Sequence, residues 1–283
     1  MRWILAFAIA TSACAQSDPV SRSWNQPVEP FKIIGNIYYV GASDITSYLI
    51  VTSQGLIILD GGFVETAPMI RSNIAELGFD FSDVKILLNS HAHYDHAGGL
   101  AELKRRTHAT FYASAPEIPL LARGGHDDPQ FGDRFLFPPI EPDRILHDGD
   151  RVTLGDTTLV AHVTPGHTRG CTTWTTTVRD GSASYNVVFV CSATIPAGYD
   201  IVTNPKYPNA MADYRRTFAT LRSLPCDVFL GSHANFFDMK EKRLMLANGP
   251  AVNPFIDPKG YKAYIEAMEK RFTEVTSRPA RAE

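Results

Sequence analysis

Residues 90–99, which read SHAHYDHAGG, concentrate metal-binding side chains on a very short segment. The candidate ligands in this segment are His91, His93, Asp95 and His96. Because His91 and His93 are two positions apart, a tight loop can direct both imidazoles at one point. Asp95 and His96 can then face a second point nearby. Nitrogen and carboxylate ligands suit zinc, and also iron or manganese.

Two distant histidines are placed in the same way, each directly after an apolar run. His167 lies in TPGHT and His233 lies in LGSHAN. Three strand ends therefore supply six candidate ligands, which are enough for two metal ions with positions left for water. Asp60, in LDGG, ends another strand and is either a hydrogen-bond partner of a ligand histidine or a structural turn residue.

The ligand types favour a catalytic site over a structural one. Structural zinc sites are closed and rich in cysteine, but no CxxC pair occurs here. An open site of histidine and aspartate lets zinc lower the pKa of bound water to about 7 and supply hydroxide. The chemistry indicated is hydrolysis of an acyl or ester-like bond, with Asp95 both ligating metal and orienting or accepting a proton.

The elements that must position these residues follow from the apolar patterning. Short strands are predicted in NIYYVG, SYLIVTS and GLIILDGG, and a helix in ETAPMIRSNIAELGF. The apolar run VKILLNS predicts a buried strand that ends where the histidines begin, and GLAELKRRT predicts a helix. The motif therefore lies on a loop between strand and helix, where α/β proteins carry their chemistry.

The second half of the chain repeats this plan. Strands are predicted in RVTLGD, TTLVAHV, CTTWTTTV, YNVVFVCSAT and DVFLGSH, with a helix in MADYRRTFATLRSL and a last helix from about 258 to 277. A Gly-, Asp- and Pro-rich insertion at 113–143 could border the pocket or build an interface. No linker divides the chain, so residues 16–283 are expected to form one catalytic domain.

Composition and the N-terminus limit the possible partners and location. A net charge of -3 gives no reason to expect a nucleic-acid partner. Residues 1–15 resemble a secretory signal peptide with a small-residue cleavage site at Ala13-Cys14-Ala15. A lipoprotein signal using Cys14 is the weaker alternative, because Thr11 stands where leucine is usual. The apolar run is too short to span a bilayer, so we expect a periplasmic or secreted protein.

Three cysteines remain in the mature chain: Cys171, Cys191 and Cys226. An odd number leaves one free thiol or one intermolecular bridge. Cys171 and Cys191 flank a predicted hairpin at equal distances from its turn. They could form a cross-strand disulfide or remain two small buried thiols, and the pattern favours neither.

The order LDGG, HAHYDH, TPGHT, GSH resembles the metallo-β-lactamase superfamily over nearly the whole mature chain. The stretches EPFKI, ARGG, NPKYP and YRRTFATLRSLPCDV are most similar to class B β-lactamases of the third subclass. This resemblance implies an α/β fold, a four-layer αββα sandwich. It also implies two zinc ions per chain, one held by His91, His93 and His167 and the other by Asp95, His96 and His233.

The same resemblance implies roles for residues after the strand YNVVFV. Ser192 and Thr194 would contact a substrate carboxylate, and Tyr199 would act in catalysis near the developing oxyanion. Cys191 is a rival metal ligand, but with His96 present we expect it not to ligate. Cys226 is expected to be free, because the region where some relatives carry its partner reads DPKGYKAY.

The leading hypothesis is zinc-dependent hydrolysis of the β-lactam amide bond by a metal-bound hydroxide, giving antibiotic resistance. The substrate would be a small-molecule β-lactam, and the oligomeric state is open. One alternative is a related exported hydrolase of lactones or thiolesters. Such enzymes often carry a bridging aspartate after the strand, where this chain has Cys191, Ser192 and Thr194. The other alternative is a non-catalytic zinc-binding protein.

Overall fold

The computed structural model describes residues 19–277, so the expected signal peptide at 1–15 lies outside the described residues. Two sheets form the centre of this part of the chain. The strands of the first sheet, in spatial order, are β1 (Phe31–Ile34), β2 (Ile37–Tyr39), β3 (Tyr48–Thr52), β4 (Gly55–Leu59), β5 (Val84–Leu88), β6 (Thr110–Ser114) and β7 (Arg144–Leu146). The strands of the second are β12 (Val228–Gly231), β11 (Ala183–Val190), β10 (Thr172–Asp180), β9 (Thr157–Val163) and β8 (Arg151–Leu154).

In the described part of the chain, one helix precedes these strands in the sequence, and the others lie between or after them. They are α1 (Pro19–Trp24), α2 (Ala67–Glu76), α3 (Tyr94–Ala97), α4 (Leu100–Thr107), α5 (Ile118–Ala122), α6 (Ala210–Ser223), α7 (Met239–Ala247) and α8 (Pro258–Thr276). Within residues 19–277, none of them combines the length and the apolar character needed to cross a lipid bilayer.

The apolar residues form two cores separated by the first sheet. Along β4, Ile57 and Leu59 face one core, whereas Leu56 and Ile58 face the other. The first core fills the space between the two sheets and continues onto α6 and α8. The second lies between the first sheet and helices α2 and α4. A continuous apolar run such as GLIIL is typical of a strand buried on both faces. The predicted four-layer αββα sandwich is confirmed.

The direction of the strands determines where the loops that carry the candidate ligands lie. In the first sheet β4 to β7 run parallel to one another, and in the second sheet β11 and β12 are parallel. Parallel strands deliver their carboxyl ends to the same edge of a sheet, where ligand sites of α/β proteins lie. The loops after β4 and β5, the loop between β9 and β10, and the loops after β11 and β12 surround one such edge.

The differences from the sequence-based expectations include the insertion and one later helix. The insertion at 113–143 contains helix α5 and is followed by an additional strand, β7, which extends the first sheet. Helix α7 was not predicted, because its apolar residues Leu244, Met245 and Leu246 are consecutive and do not form a one-sided stripe. Leu244 and Met245 are indeed largely exposed.

Candidate metal centre

The six candidate ligands come together in two groups at this edge. Within each group, one ligand atom per residue lies within 4.8 Å of the others. The first group is His91, His93 and His167, and the second is Asp95, His96 and His233. The loop after β5 contributes to both groups, the loop between β9 and β10 to the first, and the loop after β12 to the second.

The first group is a symmetric triad of imidazoles. The ring centroids of His91, His93 and His167 are 4.8 Å apart in each of the three pairs. The outward nitrogens are held by neighbouring groups. His91 Nδ1 lies 3.0 Å from Ser90 Oγ, and His167 Nδ1 lies 3.0 Å from the Thr194 carbonyl oxygen. Such contacts fix the orientation of a ring whose other nitrogen binds metal.

His93 in this triad is oriented by a residue of the insertion. His93 Nε2 lies 3.4 Å from Asp128 Oδ2, and both side chains are buried. The other oxygen of Asp128 accepts backbone N–H groups of Gln130 and Phe131 at 2.6 and 2.9 Å. The loop is thereby fixed around its aspartate, and Nδ1 is the nitrogen that His93 presents to the triad.

The second group combines two imidazoles with a carboxylate. Asp95 Oδ2 lies 3.4 Å from His96 Nε2 and 3.6 Å from His233 Nε2. The outward nitrogen of His233, Nδ1, lies 2.9 Å from Asp44 Oδ2. His96 Nδ1 lies 3.7 Å from Asp60 Oδ2. Each histidine of this group therefore faces a carboxylate on its outer side, an arrangement that increases the basicity of a ligand.

Asp60 occupies an unusual backbone position directly after β4. Its φ is 66°, in the left-handed region that few non-glycine residues adopt. Its Oδ1 accepts the Ser90 backbone N–H at 2.6 Å and an Asn89 Nδ2–H at 3.1 Å. Asp60 is thus a turn residue whose carboxylate faces His96 at 3.7 Å, beyond hydrogen-bond distance, so its role as a hydrogen-bond partner of that histidine stays a prediction.

The electrostatic environment prepares these side chains for a cation. Burial, together with the neighbouring imidazoles, holds the pKa of His91 well below its usual value and lowers the pKa of His167 to about 3. Burial alone would raise the pKa of Asp95, but His96 and His233 outweigh it and keep that pKa below its usual range. Neutral imidazoles and an ionised carboxylate are the protonation states that metal ligands require.

The donor set fits a divalent metal ion such as zinc. His91 Nε2 is buried and has no hydrogen-bond partner in the structure, which is rare for a buried polar atom. Nitrogen and carboxylate ligands without thiolate are typical of catalytic zinc sites. Cys191 lies close to His91, but its sulfur forms a disulfide with Cys171. Cys191 therefore offers no thiolate to a metal, and Cys226 is free.

An open cleft of about 630 Å³ lies over both groups. Its aromatic lining consists of Trp24, Tyr94, Phe131, Phe135 and Phe236. The remaining residues at the cleft are His93, Asp95, Arg134, His167, Thr194, Pro196, His233 and Asn235. Three of the lining residues, at positions 131, 134 and 135, come from the insertion at 113–143. The insertion therefore borders the pocket.

The residues predicted to contact substrate are only partly at this cleft. Thr194 lines it, with Oγ1 at 3.3 Å from His167 Nδ1. Ser192 is buried beneath, and its Oγ lies 3.0 Å from Thr194 Oγ1. Tyr199 is absent from the cleft lining. It borders a separate, narrow cavity of about 20 Å³ behind His93 and His167, where its buried hydroxyl has no hydrogen-bond partner.

Three acidic residues around the centre were missed by the sequence reasoning: Asp44, Glu117 and Asp128. Each lies in a loop or a short 3₁₀ turn with no recognisable motif. Only Asp128 had a usable signal, because it lies three residues after ARGG, a stretch that carried part of the family resemblance. Hydrogen-bonding aspartates of this kind are identified by the histidine that they face, which depends on tertiary structure.

A family model described as the metallo-beta-lactamase superfamily matches residues 40–233. The solved structure of native FEZ-1 metallo-beta-lactamase from Legionella gormanii is 43% identical, with a TM-score of 0.87. That match covers 90% of this chain and 99% of the other. BJP-1, a subclass B3 metallo-beta-lactamase of Bradyrhizobium japonicum, is also 43% identical, with a TM-score of 0.84 over 90% of this chain and 96% of the other.

A curated relative carries a different activity. Acyl-coenzyme A thioesterase MBLAC2 of Gallus gallus is 33% identical over 97 residues, which are 29% of this chain and 33% of that protein. The chain thus matches only about a third of this relative's length.

Proposed function

Because this chain belongs to the metallo-β-lactamase superfamily and is a zinc-dependent hydrolase most like the subclass B3 enzymes, we propose that it hydrolyses the β-lactam amide bond. The observation that carries the proposal is the pair of ligand groups beneath one cleft, in a chain 43% identical to FEZ-1 over 90% of its length. Fold alone would not support an activity, since one fold hosts many functions.

The residues that would hold two zinc ions are the two groups described above. His91, His93 and His167 would bind the first ion, and Asp95, His96 and His233 the second. Zinc bound there supplies a Lewis acid and lowers the pKa of a coordinated water to about 7.

Asp95 has the position and charge for proton transfer. It remains ionised at neutral pH, lines the cleft, and lies within 3.6 Å of His233. It can therefore orient an attacking water and accept its proton. His91 and His167 stay neutral at physiological pH because burial lowers their pKa, so each keeps a lone pair for metal. The pKa of His96 is raised, because the neighbouring Asp95 and Asp60 carboxylates outweigh the effect of its burial.

The walls of the cleft suit an anionic bicyclic substrate with apolar side groups. Phe131, Phe236 and Trp24 supply apolar surface. Arg134 is the one Arg or Lys side chain among the residues that line the cleft, and it can pair with a carboxylate. The Thr194 hydroxyl is the second group placed to receive that carboxylate. Ser192 supports Thr194 by accepting its backbone N–H at 3.2 Å.

The thiolester or lactone alternative is supported by partial similarity to curated thiolester hydrolases, the thioesterase MBLAC2 and a hydroxyacylglutathione hydrolase. The segment after β11 argues against it. Cys191 is bound in a disulfide there, and Ser192 and Thr194 carry hydroxyls, so no acid is available to bridge two metals. A non-catalytic zinc-binding role does not explain why Asp95 lies in an open, apolar-walled cleft.

We further propose that the protein is exported and protects the cell from β-lactams. The Cys171–Cys191 disulfide supports this location, since disulfides persist in oxidising compartments such as the periplasm.

The test is hydrolysis of a carbapenem and a chromogenic cephalosporin by purified protein. Turnover should be abolished by a chelator and restored by zinc, and Asp95→Asn should remove it while the protein remains folded. If the protein hydrolyses neither compound with two zinc ions bound per chain, the proposal is overturned.

A further inference from the structure

Glu117 is a buried carboxylate that does not belong to either ligand group. It ends the 3₁₀ turn Ala115–Glu117, directly before α5, and its residue is 2% exposed. Its Oε1 accepts the backbone N–H of Ala92 at 2.5 Å. Its Oε2 accepts the backbone N–H of Gly170 at 2.6 Å. A charge-assisted hydrogen bond of this kind is about twice as strong as a neutral one.

The two N–H groups belong to the two loops that carry the first triad. Ala92 lies between His91 and His93, and Gly170 lies three residues after His167. Glu117 is therefore a bridge between a loop of the first sheet and a loop of the second. Hydrogen bonds to backbone fix the position of the chain itself, from which the imidazoles project.

The contact at Gly170 is too close to accommodate an additional carbon atom. A Cβ atom at this position would lie 2.5 Å from the Glu117 backbone nitrogen and 2.6 Å from Ser114 Oγ. Ser114 also donates its hydroxyl to the Gly170 carbonyl at 2.5 Å. The 167–171 loop is thus held at both its N–H and its C=O by the segment that ends in Glu117.

The second group is held by different residues. Asp44 faces His233, and Asp60 faces His96, each within 3.7 Å. Glu117 is not among the residues that line the cleft, and it lies behind His93 and His167 at the smaller cavity. It can act on the first triad only through the backbone.

We propose that Glu117 is a positioning residue that sets the metal affinity of the His91, His93 and His167 triad by joining its two loops. This inference rests on the proposed metal-dependent function. Removing the bridge lets the two loops move relative to each other, so metal affinity falls most at the first triad, which needs both loops. It falls much less at the second group, which receives ligands from only one of the two loops.

The experiment is a zinc titration of the full-length protein followed by the ring nitrogen NMR resonances of the individual histidines. Glu117→Gln keeps the size of the side chain but presents an NH₂ group to one of the two N–H donors. We expect a 10- to 100-fold weaker affinity reported by His91, His93 and His167, and a much smaller change reported by His96 and His233. A merely structural role would weaken both groups to the same extent.

Two further variants keep the outcome interpretable. Gly170→Ala perturbs the same contact from the opposite side while leaving the carboxylate intact, and should produce the same selective loss. Asp227→Asn is the matched control, since Asp227 is half-buried and accepts the Asn186 backbone N–H at 2.8 Å in a different loop. It should leave both affinities unchanged.

The outcomes separate the inference from the function that it rests on. If the wild-type protein binds no zinc at either group, the proposed function fails. If the wild type binds zinc but Glu117→Gln and Gly170→Ala bind it equally well at the first triad, only the role of Glu117 is overturned. Should Glu117→Gln not fold, Gly170→Ala alone decides.

Discussion

Replacing both cysteines of the disulfide by alanine should destabilise the protein by a calculable amount. Cys171 and Cys191 are 20 residues apart in the sequence. The chain-entropy relation for a closed loop of this length gives about 3 kcal/mol of stabilisation through the unfolded state. For a domain of this size, that loss corresponds to a fall in Tm of roughly 6–12 °C.

The assay is urea unfolding of metal-free protein, because metal binds the native state and adds its own stabilisation. Cys226→Ala is the control, since it removes one half-buried sulfur and closes no loop. Burial raises the pKa of the Cys226 thiol to about 12, so it stays protonated at neutral pH. The control should lose much less stability than the double variant.

A loss below about 1 kcal/mol in the double variant would refute the reasoning about the unfolded chain. It would mean that the β10–β11 hairpin already brings residues 171 and 191 together in the unfolded chain, even without the covalent bond. Wild-type protein measured after reduction, with both sulfurs still present, distinguishes this loop effect from lost packing of the sulfur atoms.

Three further predictions concern the surroundings of the centre and one distant pair. Asp60→Asn should lower zinc affinity 10- to 100-fold through His96, measured by chelator competition; an unchanged affinity would contradict the role of its carboxylate. Arg134→Ala should raise KM about 2- to 5-fold for a carboxylate-bearing β-lactam without changing kcat; an equal rise for the corresponding ester would argue against ion pairing. Burial alone would raise the pKa of Asp257, but Lys242 and the backbone N–H of Gly260 lower it. The stabilisation of the folded protein by the ionised Asp257 carboxylate is therefore present above about pH 4. It is lost as pH falls through the lowered pKa. The difference in stability between wild type and Asp257→Asn should disappear in acid, and a difference independent of pH would be contrary to this.

Many residues of the metal centre could be predicted because they form patterns within short segments of the sequence. The histidines at 91, 93 and 96 lie within six consecutive residues, and an apolar run just before them marks the end of β5. His167 and His233 follow apolar runs in the same manner. Since parallel strands end at one edge, these local signals were sufficient to bring distant residues together in the prediction.

The surrounding contacts could not be predicted because they join loops that are far apart in the sequence. Asp44 and His233 are 189 residues apart, and no local pattern relates them. Glu117 accepts hydrogen bonds from backbone N–H groups, which every residue except proline possesses. The identity of its partner residues therefore cannot be predicted from their amino-acid types. The choice between disulfide and thiols likewise required the actual distance between Cys171 and Cys191.

Tyr199 illustrates the limit of a resemblance. Its placement near an oxyanion was carried over from a family pattern, whereas its hydroxyl lies in a cavity behind His93 and His167. The loop after Thr194 determines this direction, and the spacing within a loop does not fix where a side chain points. The part of Tyr199 in the reaction stays a prediction.

The central claim is that the cleft acts on β-lactams in preference to thiolesters. The most direct measurement compares kcat/KM for a cephalosporin and for an acyl thiolester, on one preparation of zinc-loaded protein. We predict a kcat/KM for the β-lactam that exceeds the thiolester value by orders of magnitude and disappears in Asp95→Asn. A higher value for the thiolester would contradict the account and assign the centre to the chemistry of its thioesterase relatives.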